Sequence, residues 1–168
     1  IDVFNVSRDT WDHNAKSWNW HVNRNGVTRF VRVYPVPHLS GSTLAYDFLI
    51  QGKRIVYVTD TTLDMKYRNV SRLARSLSYG IKPDLFIVEC NFANRHMTFA
   101  EIPKHTFPQI LVNFLKAVEP KHAVLTHLHP FGDEYGEFFQ EDIVALDEVQ
   151  REYNGRVTLA RQDMVVVV

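Results

Sequence analysis

Three short apolar runs constrain this chain most: IVYVTD (55–60), DLFIVE (84–89) and HAVLTH (122–127). Each has the length of a strand rather than a helix, and runs of this kind suit strands buried on both faces. The stretches between them have helical spacing. In DMKYRNVSRLARSLSY (64–79), Met65, Val70, Leu73, Ala74 and Leu77 fall near one face. Asp64 is placed to cap that helix, Gly80 to stop it, and Pro83 lies just beyond. TFPQILVNFLKAVEP (106–120) predicts a second helix with Thr106 as cap and Pro108 in the first turn. Residues 137–153 predict a third, bounded by Gly155. Strands alternating with helices give an α/β class with a mixed sheet.

Upstream the pattern changes. GVTRFVRVYPVP (26–37) alternates apolar and polar residues, as a half-buried strand does. STLAYDFLI (42–50) and IVYVTD flank the turn QGKR and predict a hairpin. Residues 1–26, with Trp11, Trp18, Trp20, His13 and His21 among Asn, Asp and Ser, read as a loop or short helix with aromatic anchors. Residues 92–105 read as irregular, and RVTLA (156–160) with MVVVV (164–168) as a closing hairpin around RQD. With 168 residues and no repeat or linker, the expectation is one domain over 1–168 with 1–26 as a lead-in.

Charge excludes little. Lys+Arg and Asp+Glu balance at 19 each, so no net field argues for nucleic acid or an acidic membrane, while a local basic patch stays open. Cys90 is the one cysteine, which excludes an internal disulfide framework and a thiolate zinc cluster. It reads as a core residue of a protein in a reducing, cytoplasmic compartment. No apolar run is long enough to span a membrane, and no signal-peptide pattern is visible at the start.

Asp60 closes an apolar run, and a carboxylate there is costly unless something cationic meets it. His38 follows the first strand and His127 ends HAVLTH. Ligands in α/β sheets bind beyond the carboxyl ends of strands, and two imidazoles with a carboxylate suit zinc, manganese or iron. Taken singly, each residue has a blander reading as a hydrogen-bonded loop histidine or a turn aspartate.

Their surroundings carry a resemblance. VYPVPHLSGSTLAYDFLIQGKRIVYVTDT is similar to the metallo-β-lactamase superfamily pattern in which a ligand histidine, a hairpin and a bridging aspartate in "TDT" follow one another. PDLFIVECNF resembles the next strand, with Glu89 near the family's acidic position, where it would orient a ligand or a metal-bound water. KHTFPQILVNFLKAVEPKHAVLTHLHP resembles the "HST" to "LTH" region of the phosphodiesterase and ribonuclease Z-like branch. The closing RVTLARQDMVVVV resembles the terminal strand pair, and the likeness runs from about residue 29 to 168.

The resemblance implies the C-terminal half of an αββα metallo-β-lactamase sandwich. It implies His38, Asp60 and His127 as metal ligands, with Asp60 bridging two divalent ions, zinc first, manganese or iron otherwise. It implies a hydroxide held by those ions that attacks a phosphodiester. His105, 22 residues before His127, matches a phosphate-contacting general acid, and its place opening a helix suits an anion. His129 and Asp133 read as loop groups, His129 also as a substrate contact or a competitor of His127 for the metal. His96 and Glu101 are weaker substrate contacts. Implied partners are a small-molecule or nucleotide phosphodiester, RNA included, without a membrane; an unpaired half-sandwich would complete its sheet as a homodimer or by pairing with a second chain, or else aggregate.

One departure is large. The family's His-x-His-x-Asp-His motif is absent, and neither His13 nor His21 has its spacing. The expectation is therefore a fragment that binds metal weakly and hydrolyses little alone. The alternative is a catalytically degenerate nucleotide- or protein-binding module of the same fold.

Overall fold

The computed structural model describes residues 5–12, 17–24, 27–38, 41–91, 93–96, 104–126 and 138–168. Their eight strands form one sheet in chain order: β1 (Asn5–Asp12), β2 (Ser17–Arg24), β3 (Val27–His38), β4 (Gly41–Ile50), β5 (Lys53–Val58), β6 (Leu85–Glu89), β7 (His122–Thr126) and β8 (Arg156–Leu159). From β1 to β5 neighbours are antiparallel. From β5 to β8 they are parallel. The parallel steps are crossed by α1 (Arg68–Ser78), α2 (Pro108–Val118) and α3 (Phe138–Glu152). The mixed sheet expected from the three apolar runs is therefore present.

The hairpin turn between β4 and β5 is Gln51–Gly52, with φ of 52° and 76°. Both residues are left-handed, the geometry whose twist matches that of the flanking strands. Buried Val70, Leu73, Ala74 and Leu77 place α1 on the sheet as its spacing predicts. On α2 the buried set is Pro108, Leu111, Val112, Phe114, Leu115 and Val118. Phe114 stacks on Phe86 of β6 with ring centroids 5.8 Å apart. The core thus lies between the helices and one sheet face, where each buried Val, Leu or Phe contributes about 1.5–3 kcal/mol.

The opposite face carries no helix among the described residues. Cross-strand partners share a face, so the register Val33–Tyr46–Tyr57–Ile87–Val124 runs one apolar band across β3 to β7. Phe48 and Ile55 lie beside it. Tyr57 is 40% exposed.

Four expectations need correction. Residues 1–26 are not loop or helix where described: β1 and β2 pair antiparallel, with Trp18 opposite Val33 and Trp20 opposite Val31. The pairing surface of β3 overrides the polar composition. Residues 164–168 join no ladder, and Val165 and Val167 are 85% and 92% exposed. β-branched composition favours a strand only where a partner packs it. Asp64 does not cap α1: its Oδ1 accepts the Lys66 N–H at 2.9 Å in a turn upstream, Tyr67 takes the cap position, and Met65 falls outside the helix. Thr106 does not cap α2, whose cap position is Phe107.

Candidate functional site

His38 is the last residue of β3, opposite Gly41 of β4. Asp60 lies two residues past β5 with φ of 53°. Aspartate enters this left-handed region more readily than most residues, because its short polar side chain bonds locally. His105 precedes α2 and follows Lys104, also left-handed at φ 60°. Three elements thus deliver three donors to the carboxyl edge of the sheet. Their ligand atoms all lie within 4.8 Å of one another, and each residue is half-buried. The rings of His38 and His105 meet edge to face at 5.6 Å.

A chain of threonines fixes this convergence. Thr61, beside Asp60, donates its Oγ1 hydrogen to the Pro37 carbonyl at 2.7 Å, beside His38. Thr106, beside His105, donates its own to the Thr61 carbonyl at 2.8 Å. Thr106 Oγ1 also accepts the Leu63 N–H at 3.0 Å. Each candidate donor therefore neighbours a residue of one hydrogen-bonded chain. Lys104 adds a longer contact from Nζ to the His38 carbonyl at 3.5 Å.

Behind the donors sits Glu89, the last residue of β6 and fully buried. A buried carboxylate needs donors around it. Oε1 accepts the Thr61 N–H at 3.1 Å and the Thr106 N–H at 2.8 Å. Both carboxylate oxygens lie 3.2 Å from His105 Nδ1. That hydrogen bond raises the proton affinity of His105 above that of an ordinary histidine; burial opposes it, and the charges of Glu89 and Asp60 add to it. The carboxylate fixes the tautomer and orientation of the ring, and leaves Nε2 as its other polar atom.

The donor set fits a divalent cation. Two imidazoles and a carboxylate are the ligand types that zinc, manganese and iron share, and their mutual distances allow one ion to touch all three. His127 and His129 lie outside the described residues, as do Glu101 and Asp133. So does the side chain of His96. The last described residue of β7 is Thr126, whose carbonyl accepts the Cys90 N–H at 3.0 Å.

Sequence reasoning did not anticipate Thr61, the bonds that Thr106 makes in place of a cap, or the donors that meet at Glu89. The duplicated threonine in TDTT and the pair His105–Thr106 carried the available signal. Cys90 is a buried core residue, as expected.

No family model matches the sequence, and no curated protein does. Solved structures do. Human tRNase Z, short form, superposes with a TM-score of 0.61 at 19% identity, over 94% of this chain and 49% of that one. Unliganded yeast PDE1 gives 0.61 at 17% identity, over 79% and 44%. The metallo-β-lactamase fold protein YhfI from Bacillus subtilis gives 0.58 at 17%, over 84% and 48%. The chain spans about half the length of these structures. Its sheet and helices have the metallo-β-lactamase fold over that half.

Proposed function

We propose that this chain carries part of the active site of a metal-dependent hydrolase that cleaves phosphodiester bonds. The observation that carries the reading is the convergence of His38, Asp60 and His105 in front of buried Glu89. The similarity to tRNase Z, to yeast PDE1 and to a diphosphatase of the PhnP family (TM-score 0.51, 16% identity, over 83% of this chain and 42% of that one) supports the substrate class.

A divalent ion, zinc first, would be held by His38 and Asp60, with His127 as a further ligand; His105, which lies within reach of the same ion, is assigned to the substrate instead because Glu89 holds its Nδ1. Such an ion supplies Lewis-acid polarisation of the phosphoryl oxygen and a more acidic water. His105, whose proton affinity the Glu89 hydrogen bond raises, would donate a proton to the leaving oxygen from Nε2. Glu89 then stabilises the ring in whichever protonation state remains, while the threonine chain keeps Asp60 and His105 in register. His129 is placed by sequence on the substrate side. Two such ions would form the dinuclear centre that the family resemblance implies. The missing His-x-His-x-Asp-His motif predicts that this chain by itself binds one ion and turns over slowly.

The test combines zinc calorimetry with hydrolysis of bis(p-nitrophenyl) phosphate, using Asp60→Asn as control. Zinc binding with turnover above the control supports the proposal. Neither binding nor turnover overturns it. Zinc binding with no turnover favours the second reading, a catalytically degenerate nucleotide- or protein-binding module, which the absent motif motivates.

A further inference from the structure

The net charge of zero conceals a strong segregation. α1 contains Arg68, Arg72 and Arg75 and no acidic residue. α3, on the same sheet face, contains Glu141, Asp142, Asp147, Glu148 and Glu152 against Arg151 alone. α2, with Lys116, packs between them. The helical layer is therefore positive over β5 and β6 and negative toward β8.

On α1 the arginines are aligned. At 3.6 residues per turn, Arg68, Arg72 and Arg75 fall within about 60° of arc, directly opposite the buried face. Tyr79, which caps the helix and is 74% exposed, continues the line. Arg68 and Arg75 are exposed and Arg72 is half-buried. Among the described residues no carboxylate pairs with any of the three. The one acidic neighbour upstream, Asp64, is taken by Lys66 at 2.7 Å. The stripe is about 16 Å long at 1.5 Å per residue.

We propose that the outer face of α1 docks the phosphodiester backbone of a single-stranded nucleic acid. The arginines take successive phosphates as forked donors, and Tyr79 offers a ring on which a base stacks. The acidic α3 repels the same strand and sets its path along α1. The first turn of α1 follows the Asp60 loop in sequence, so a strand lying on the stripe has one end near the candidate site. The proposal does not rest on hydrolysis, because docking needs neither the metal nor Glu89.

The experiment is fluorescence anisotropy of labelled oligouridylate with the whole chain in EDTA. Binding is expected at low salt. The variant R68E/R72E/R75E should bind at least about tenfold more weakly, with a log–log salt slope shallower by about 2, at about 0.7 per phosphate contact. Y79A should weaken binding about fivefold or more with the slope unchanged. Circular dichroism checks folding, and R68Q/R72Q/R75Q carries the test if the glutamate variant does not fold. Equal affinity of the wild-type chain and the arginine variants overturns the proposal. So does binding to phosphatidylserine vesicles without binding to RNA. Turnover of bis(p-nitrophenyl) phosphate is read separately, so either idea can fail alone.

Discussion

Both carboxylate oxygens of Glu89 lie 3.2 Å from Nδ1 of His105, and Glu89 is fully buried while His105 faces the candidate site. A histidine so placed holds its proton more tightly in the folded chain than in the unfolded one. In the metal-free protein its titration, followed by proton NMR, should lie above the ordinary value of about 6.5. Glu89→Gln should bring it down. The sign for stability follows: His105 stabilises the fold fully below about pH 6.5, and that contribution is lost as pH rises through the folded value. His122 works the other way, since burial first and Arg156 second lower its proton affinity. Its contribution is present above about pH 6.5 and lost as pH falls. A His105 titration unchanged by Glu89→Gln would contradict this account.

The roles of the three donors separate by calorimetry. Replacing His38 by Ala or Asp60 by Asn should weaken zinc binding at least about 10–100-fold, the loss typical even of an outer partner. His105→Ala should leave affinity within about threefold, because the bond from Glu89 to Nδ1 commits the ring to proton transfer rather than to the ion. It should lower turnover by about a hundredfold or more. If His105→Ala lost zinc as His38→Ala does, His105 would be a ligand, with Glu89 orienting it.

The sheet and helices were legible where physics is local. Five-residue apolar strands and the buried stripe of α1 state their own environment, because burial on two faces or one admits few other residues. β1 and β2 were not, since SWNWHVNR becomes a strand by pairing with β3. Its alternating Trp18, Trp20 and Val22 were the missed signal. Asp64 and Thr106 have cap chemistry, but Asp64 serves the Lys66 amide in a local turn and Thr106 serves the Leu63 amide, distant in the chain. The same holds for Glu89. Its place at a strand end is visible in the sequence, but its grip on Thr61 and Thr106, 28 and 17 residues away, is set by tertiary packing.

Away from the site, Arg54 and Asp47 form a bidentate pair at 3.0 and 2.8 Å, both nearly buried. Arg54 Nη1 also donates to the Leu77 and Ile81 carbonyls at 3.1 and 2.7 Å, tying β5 to the end of α1. Asp47→Ala should cost about 3–5 kcal/mol in urea unfolding, because it strands a buried cation. The double change D47L/R54M should cost much less. Equal costs would show that the pair itself, rather than the orphaned charge, sets the loss.

The band through Tyr46, Tyr57 and Ile87, which no helix covers among the described residues, offers an apolar surface with Tyr57 exposed. The isolated chain should self-associate, and light scattering should show a mass that rises with concentration. Tyr57→Lys should shift it toward the monomer. A concentration-independent monomer would refute the expected homodimer.

The threonine chain and Glu89 draw their partners from loops up to 45 residues apart. No part of the site can preform in an unfolded polypeptide, so an ion bound there would act as a thermodynamic staple on the whole fold. Each tenfold excess of zinc over its dissociation constant would add about 1.4 kcal/mol to stability. Resistance to denaturation would then report occupancy of the site, and the melting temperature would become a metal gauge that needs no substrate.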